Sequence, residues 1–141
     1  MVGRRPKGLI DTGPILALVS RDDPWHRRCK EVYDNLQFPL ATSIAVLTEF
    51  FHLAGHPREV EAAWGLLRSG TILIPPIGSD DVPDLQTLMD RYHDRPMDFA
   101  DATLVHLARR EQLDTVFTID HDDFETYRID GRRRFHIVPN R

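Results

Sequence analysis

Short apolar runs, each stopped by an acid, a proline or a glycine, alternate along this chain with stretches of helical periodicity. Gly8-Leu9-Ile10 predicts a buried strand ending at Asp11, with Pro14 in the first turn of a helix through Ser20. Asp22-Asp23-Pro24 restarts a helix to about Leu36, and Pro39 to Thr42 reads as a short second strand. Ser43 caps a helix to Ala54 that Gly55 stops. A further helix runs from about Arg58 to Arg68 and closes at Gly70. Thr71 to Ile74 is β-branched and apolar, a third strand ended by Pro75-Pro76. Asp80 or Asp81 opens a helix to about His93, and Pro96 opens the next, to about Gln112. Thr115 to Ile119 and Phe135 to Val138 supply strands four and five. Strands separated by helices predict an α/β fold, with a parallel sheet of four or five strands covered on both faces and right-handed crossovers. No repeat or linker divides the chain, so one domain over residues 1–141 is expected.

Composition narrows the setting. Hydrophobic residues make up 41% and charged residues 28%, the balance of a globular chain with a real core. Charges break every apolar run well short of the ~18 residues of a membrane span. The basic N-terminus (Arg4, Arg5, Lys7) is followed by a stretch holding Asp11 and Pro14, a poor secretory leader. The single cysteine, Cys29, excludes an internal disulfide and an all-cysteine metal site, and sits in a charged helix as an inert thiol. A cytoplasmic setting is expected. The net charge of −4 opposes a nucleic-acid partner unless the acids are gathered in one place, leaving the bases as a rim. Of 18 basic residues only Lys7 and Lys30 are lysine; arginine forks suit phosphate, and a GC-rich genome also yields arginine.

The placement of acids carries the chemistry. In open parallel sheets, ligands bind beyond the carboxyl ends of the strands. Asp11 follows the first strand and Asp120 the fourth; either alone reads equally as a helix cap or a turn residue. Glu49 lies in a helix apolar on nearly every face, Ser43 to Ala54, which predicts burial and a metal; the alternatives are a partner such as His52 or an exposed sliver of the helix. Asp98 and Asp101 share a helix face, where they serve as N-cap and first-turn acid or as a ligand pair. One device accounts for all of them together: a hard divalent cation, which takes carboxylate oxygens, offsets their repulsion, polarises a phosphoryl group and activates water.

Four motifs in this order resemble the PIN-domain family, in particular the VapC-like toxins of toxin–antitoxin pairs. They are Leu9-Ile10-Asp11-Thr12-Gly13-Pro14-Ile15-Leu16, Thr42-Ser43 through Thr48-Glu49-Phe50, Met97-Asp98-Phe99-Ala100-Asp101-Ala102, and Phe117-Thr118-Ile119-Asp120 with Asp123-Phe124. The resemblance spans about Leu9 to Pro139. It implies a three-layer α/β/α domain and a Mg²⁺- or Mn²⁺-dependent endoribonuclease that hydrolyses structured RNA such as tRNA or rRNA. It also implies a homodimer and a cognate antitoxin protein. Residue by residue, it makes Asp11, Glu49, Asp101 and Asp120 the catalytic, metal-holding acids, with Asp98 matching an acid found in a subset of the family. Asp123 is expected to fix the loop before Phe124. Thr12 and Thr118 are expected to orient the acids by hydrogen bonds.

The remaining residues point less sharply. The seven histidines show no zinc spacing; Gly55 and Pro57 break the helix around His52 and His56. His121, beside Asp120, reads as an exposed loop residue or as a phosphate contact, and Arg132-Arg133-Arg134 as a solvated turn or a grip on RNA backbone. Trp25 and Trp64 read as core or interface. Asp11-Thr12-Gly13 also spells an aspartic-protease signature, but that fold is all-β. A phosphatase or phosphoryl-transfer domain needs an acid pair or a lysine that this chain does not place. A non-catalytic binding scaffold, its acids acting only as caps, is the remaining alternative.

Overall fold

The computed structural model describes residues 4–95 and 97–141. Five strands form a wholly parallel sheet: β1 (Gly8–Ile10), β2 (Leu40–Ala41), β3 (Ile72–Leu73), β4 (Thr115–Phe117) and β5 (His136–Val138). Their order is β3-β2-β1-β4-β5. Among the described residues seven α-helices flank it: α1 (Thr12–Val19), α2 (His26–Asn35), α3 (Ile44–Leu53), α4 (Pro57–Arg68), α5 (Val82–Arg91), α6 (Phe99–Arg110) and α7 (His121–Thr126). A single 3₁₀ turn, Ser79–Asp81, leads into α5. Helix α1 packs on α2, α3 and α4, while α6 packs on α5, α3 and β1. This is the expected three-layer α/β/α arrangement, and its parallel strands rule out the all-β protease fold.

The sheet order reverses at β1. The chain moves from β1 outward to β2 and β3, then returns to lay β4 on the other side of β1. That reversal opens a crevice beyond the carboxyl ends of β1 and β4, where such sheets bind ligands. Register fixes the two ends side by side: Ile10 pairs with Phe117, and the Asp11 amide donates to the Phe117 carbonyl at 2.9 Å. Leu9, Ile10, Val116 and Phe117 are buried, so the sheet cannot slip without exposing them.

β1 has its expected length, whereas β2 and β4 are shorter than the hydrophobic pattern predicts, because helices start within a few residues of their ends. Asp11 and Ser43 already cap α1 and α3, the Ser43 hydroxyl accepting from the Val46 amide at 3.2 Å. Ile119, read as strand, instead packs on Gly13: a Cβ built at Gly13 would meet the Ile119 side chain at 2.6 Å. Only glycine admits this close approach of the two loops that carry Asp11 and Asp120. At Gly70 a positive φ of 79° closes the segment after α4, as expected of a glycine past a helix end.

Three expectations need correction. Helix α3 is not mostly buried: only Val46, Leu47 and Phe50 are, while Ile44 and Leu53 are 64% and 54% exposed. Being apolar all round, its sequence concealed which face meets solvent. The segment after Asp120 is not a loop but the short helix α7. Helix α6 begins at Phe99 behind the Asp98 cap; Pro96, expected to open it, lies outside the described residues. No described helix is long and apolar enough to cross a membrane.

Candidate metal centre

Asp11 stands one residue past β1, 8% exposed, with both oxygens engaged. Its Oδ1 accepts from the Thr12 amide at 2.8 Å and its Oδ2 from the Thr118 hydroxyl at 2.8 Å. Thr118, just past β4, also accepts from the Asp120 amide at 3.0 Å, so one hydroxyl ties the two strand-end acids together. Thr12 takes part through its backbone alone; its hydroxyl donates to the Val46 carbonyl at 3.3 Å, not to an acid.

Helix α6 brings the second pair. Asp98 caps it, Oδ1 accepting from the Asp101 amide at 2.7 Å, and stays exposed. Asp101, one turn in, is 7% exposed, and its Oδ2 accepts from the Tyr127 hydroxyl at 2.8 Å. Helix α7 brings the third pair, with Asp120 at its N-cap and Asp123 in its first turn. One carboxylate oxygen each from Asp101, Asp120 and Asp123 lie within 4.8 Å of one another, a spacing that a single cation can bridge. Arg95 leans on the edge of this group, its Nε and NH2 donating to Asp123 Oδ1 at 3.3 and 3.2 Å.

The electrostatics register the crowding. Burial pushes the Asp101 carboxyl up to about 8, and the charges of Asp11, Asp98 and Asp120 add to this against the Tyr127 hydroxyl. Burial likewise lifts Asp11 to about 6, opposed by Thr12 and Thr118 and reinforced by Glu49 and Asp98. Partial burial and the neighbouring Asp123 raise Asp120. Acids spread from position 11 to position 123 thus feel one another across a single crevice. Without a cation, that repulsion is met by holding protons.

Each expected acid therefore has a place. Asp101 and Asp120 come together with Asp123, and the charges of Asp11 and Asp98 reach Asp101. Glu49 lies close enough for its charge to reach Asp11, yet it is exposed, so the burial argument that singled it out does not hold. Asp123 joins the group from a helix rather than fixing a loop; its i, i+3 spacing from Asp120 repeats that of Asp98 and Asp101, a signal present in the sequence. His121 turns away from the crevice: it is buried, its Nε2 donates to the Pro139 carbonyl at 2.8 Å, and its ring lies 6.0 Å from Trp25. It is neither an exposed loop residue nor open to a phosphate. Arg132, Arg133 and Arg134 are exposed, Arg133 pairing with Asp130 at 2.9 Å. Tyr127 and Arg95 escaped the sequence reading, since nothing local marks either. Cys29 is buried, with its thiol pushed up to about 11 by burial.

The chain is similar to known proteins in sequence and fold. The ribonuclease VapC26 of Mycobacterium tuberculosis is 28% identical over 134 residues, 93% of this chain and 99% of that one. The crystal structure of Mycobacterium tuberculosis VapC20, a toxin that cleaves the sarcin–ricin loop, matches with a TM-score of 0.72 at 22% identity, covering 82% of this chain and 92% of that one. PAE2754 from Pyrobaculum aerophilum matches with a TM-score of 0.53 at 18% identity, over 97% of this chain and 93% of its own. These two structures bear on the fold alone. The model of the PIN domain matches residues 8–130, from β1 through the last of the clustered acids, and the chain belongs to the PIN-domain family.

Proposed function

We propose that this protein is a divalent-cation-dependent endoribonuclease and the toxin of a toxin–antitoxin pair. The observation that carries the reading is Asp101, a buried carboxyl surrounded by the charges of Asp11, Asp98 and Asp120, with a tyrosine as its side-chain hydrogen-bond donor. Such a group is costly to ionise unless a cation joins it. The donor set is all carboxylate, which suits Mg²⁺ or Mn²⁺ rather than a soft metal. Family membership and likeness to VapC26 support RNA as the substrate.

Asp101 and Asp120, with Asp11 and Asp123 beside them, would hold the cation, and Glu49 and Asp98 would stand at the rim. When bound, the cation supplies charge stabilisation to the phosphoryl group and activates the attacking water. Thr118 keeps Asp11 and Asp120 in register, and the Thr12 amide holds the other oxygen of Asp11. Arg95, half-exposed beside Asp123, offers its remaining N–H groups to a phosphate oxygen of the bound RNA. Arg132, Arg133 and Arg134 supply backbone contacts farther along the strand. The substrate is structured RNA such as tRNA or rRNA. The protein acts in the cytoplasm as a one-domain chain, pairs as a homodimer, and is held inactive by a cognate antitoxin.

The test is expression of wild type beside Asp11→Asn, scoring growth and sequencing RNA ends. Growth arrest with new, discrete 5′ ends in wild type only is expected; equal ends from both proteins would refute the role of Asp11. EDTA should silence cleavage by the purified protein, and Mg²⁺ or Mn²⁺ should restore it.

A further inference from the structure

The hydrogen bond from Tyr127 to Asp101 links two positions 26 residues apart and is the only bond the Tyr127 hydroxyl makes among the described residues. We propose that Tyr127 is a positioning residue of the metal centre: its hydroxyl anchors Oδ2 of Asp101 and so fixes the carboxylate with its unpartnered Oδ1 free for the cation. This rests on the metal-centre reading above.

Three features of the surroundings carry it. First, the tyrosine ring cannot drift. It is fully buried and meets Tyr92 edge-on at 5.1 Å and Phe124 edge-on at 5.2 Å, and Phe124 in turn meets Phe135 at 5.4 Å. Second, Tyr127 belongs to the element that delivers the other acids. It is the C-cap of α7, its amide donating to the Asp123 carbonyl at 3.0 Å, while Asp120 caps the same helix at its start. The hydroxyl therefore pins α6, through Asp101, to the helix that supplies Asp120 and Asp123. The 4.8 Å grouping of their oxygens depends on that join. Third, Oδ1 of Asp101 has no hydrogen-bond partner among the described residues, whereas Oδ2 is taken. The pattern differs from that at Asp11, where both oxygens accept bonds. A phenylalanine, as at position 124, would fill the aromatic block equally well. The hydroxyl is what the carboxylate requires, because a buried acceptor without a donor is costly.

The test is calorimetric titration of wild type, Tyr127→Phe and Phe124→Leu with Mn²⁺, beside their thermal melts. Loss of a hydrogen bond that orients a metal ligand weakens metal binding roughly 10- to 100-fold. Tyr127→Phe should show that loss, and Phe124→Leu, which loosens the block but keeps the hydroxyl, should lower Tm while binding Mn²⁺ nearly as wild type does. Equal Mn²⁺ affinity in wild type and Tyr127→Phe overturns the proposal, as does an equal loss in both variants, which would make packing the cause. Should Tyr127→Phe fail to fold, proton NMR of the wild type decides: a slowly exchanging Tyr127 hydroxyl resonance should shift on Mg²⁺ addition, and one unmoved at saturation overturns the assignment. A wild type that binds no Mn²⁺ sinks the metal centre itself, a different result from a bound cation indifferent to Tyr127.

Discussion

Helix α6 carries two carboxylate environments of opposite character, one at each end. Near its C-terminal half, Asp81 accepts from the Gly78 amide at 2.8 Å, from His106 Nε2 at 2.7 Å and from Arg110 at 3.1 Å. These partners hold its carboxyl down at about 2, the Gly78 amide contributing most and His106 next. At the N-terminal end, Asp101 has one tyrosine hydroxyl and three acidic neighbours, and its carboxyl rises to about 8. The first site is complete within the chain. The second lacks only positive charge, and that deficit separates a structural carboxylate from one built for a cation.

The largest effect should come from swapping charge at the two sites. Asp101→Asn should cut RNA cleavage by a factor of order 10²–10³, the scale seen when a group stabilising the transition state is removed. Asp81→Asn should lower Tm yet leave cleavage per folded molecule near wild type. Comparable cleavage by both variants would erase the distinction. A second effect is on stability. Mn²⁺ at a hundred times its Kd should stabilise wild type by about 2.7 kcal/mol and leave Asp101→Asn unmoved, as read by thermal melts.

The pH dependence sharpens the contrast. The folded value for Asp101, about 8, exceeds its ordinary 3.8, so its contribution to stability is complete below about pH 4 and is lost as pH rises through about 8. Asp11 adds the same trend up to about pH 6. Asp81 runs the other way: its contribution is present above about pH 4 and is lost as pH falls through about 2. In EDTA, Tm should therefore decline from pH 5 to pH 8.5, and added Mn²⁺ should raise it most at the alkaline end, because binding displaces protons. A Mn²⁺ effect independent of pH in that range would contradict the raised value. The smallest effect should be at Glu49, whose exposed carboxylate acts in a high dielectric: Glu49→Gln should lower cleavage less than about tenfold.

Much of this was legible in the sequence, for local reasons. The first strand ends and a helix starts at Asp11, the fourth apolar run ends at Asp120, and the Asp98 cap is a spacing pattern, so the chain alone marks Asp11 and Asp120 for one rim of a parallel sheet and Asp98 for a helix start. What stayed hidden depends on packing between distant segments. Helix α7 has six residues, three of them His121-Asp122-Asp123, with no apolar period to betray it. Helix α3 is apolar on nearly every side, so the sequence alone did not choose between a buried Glu49 and one facing water. Thr12 bonds Asp11 through its amide, and the sequence does not tell amide from hydroxyl, because a side chain's direction is set by the turn that Asp11 caps. Tyr127 reaches Asp101 only after α6 and α7 have docked.

The most direct measurement is an anomalous difference map from crystals soaked in Mn²⁺ above pH 8. A peak beyond the ends of β1 and β4, about 2.2 Å from an oxygen of Asp101 and from at least one of Asp11 or Asp120, is the predicted result. A map with no peak in that crevice, or with manganese only on outlying acids such as Asp122 and Glu125, would contradict a shared cation.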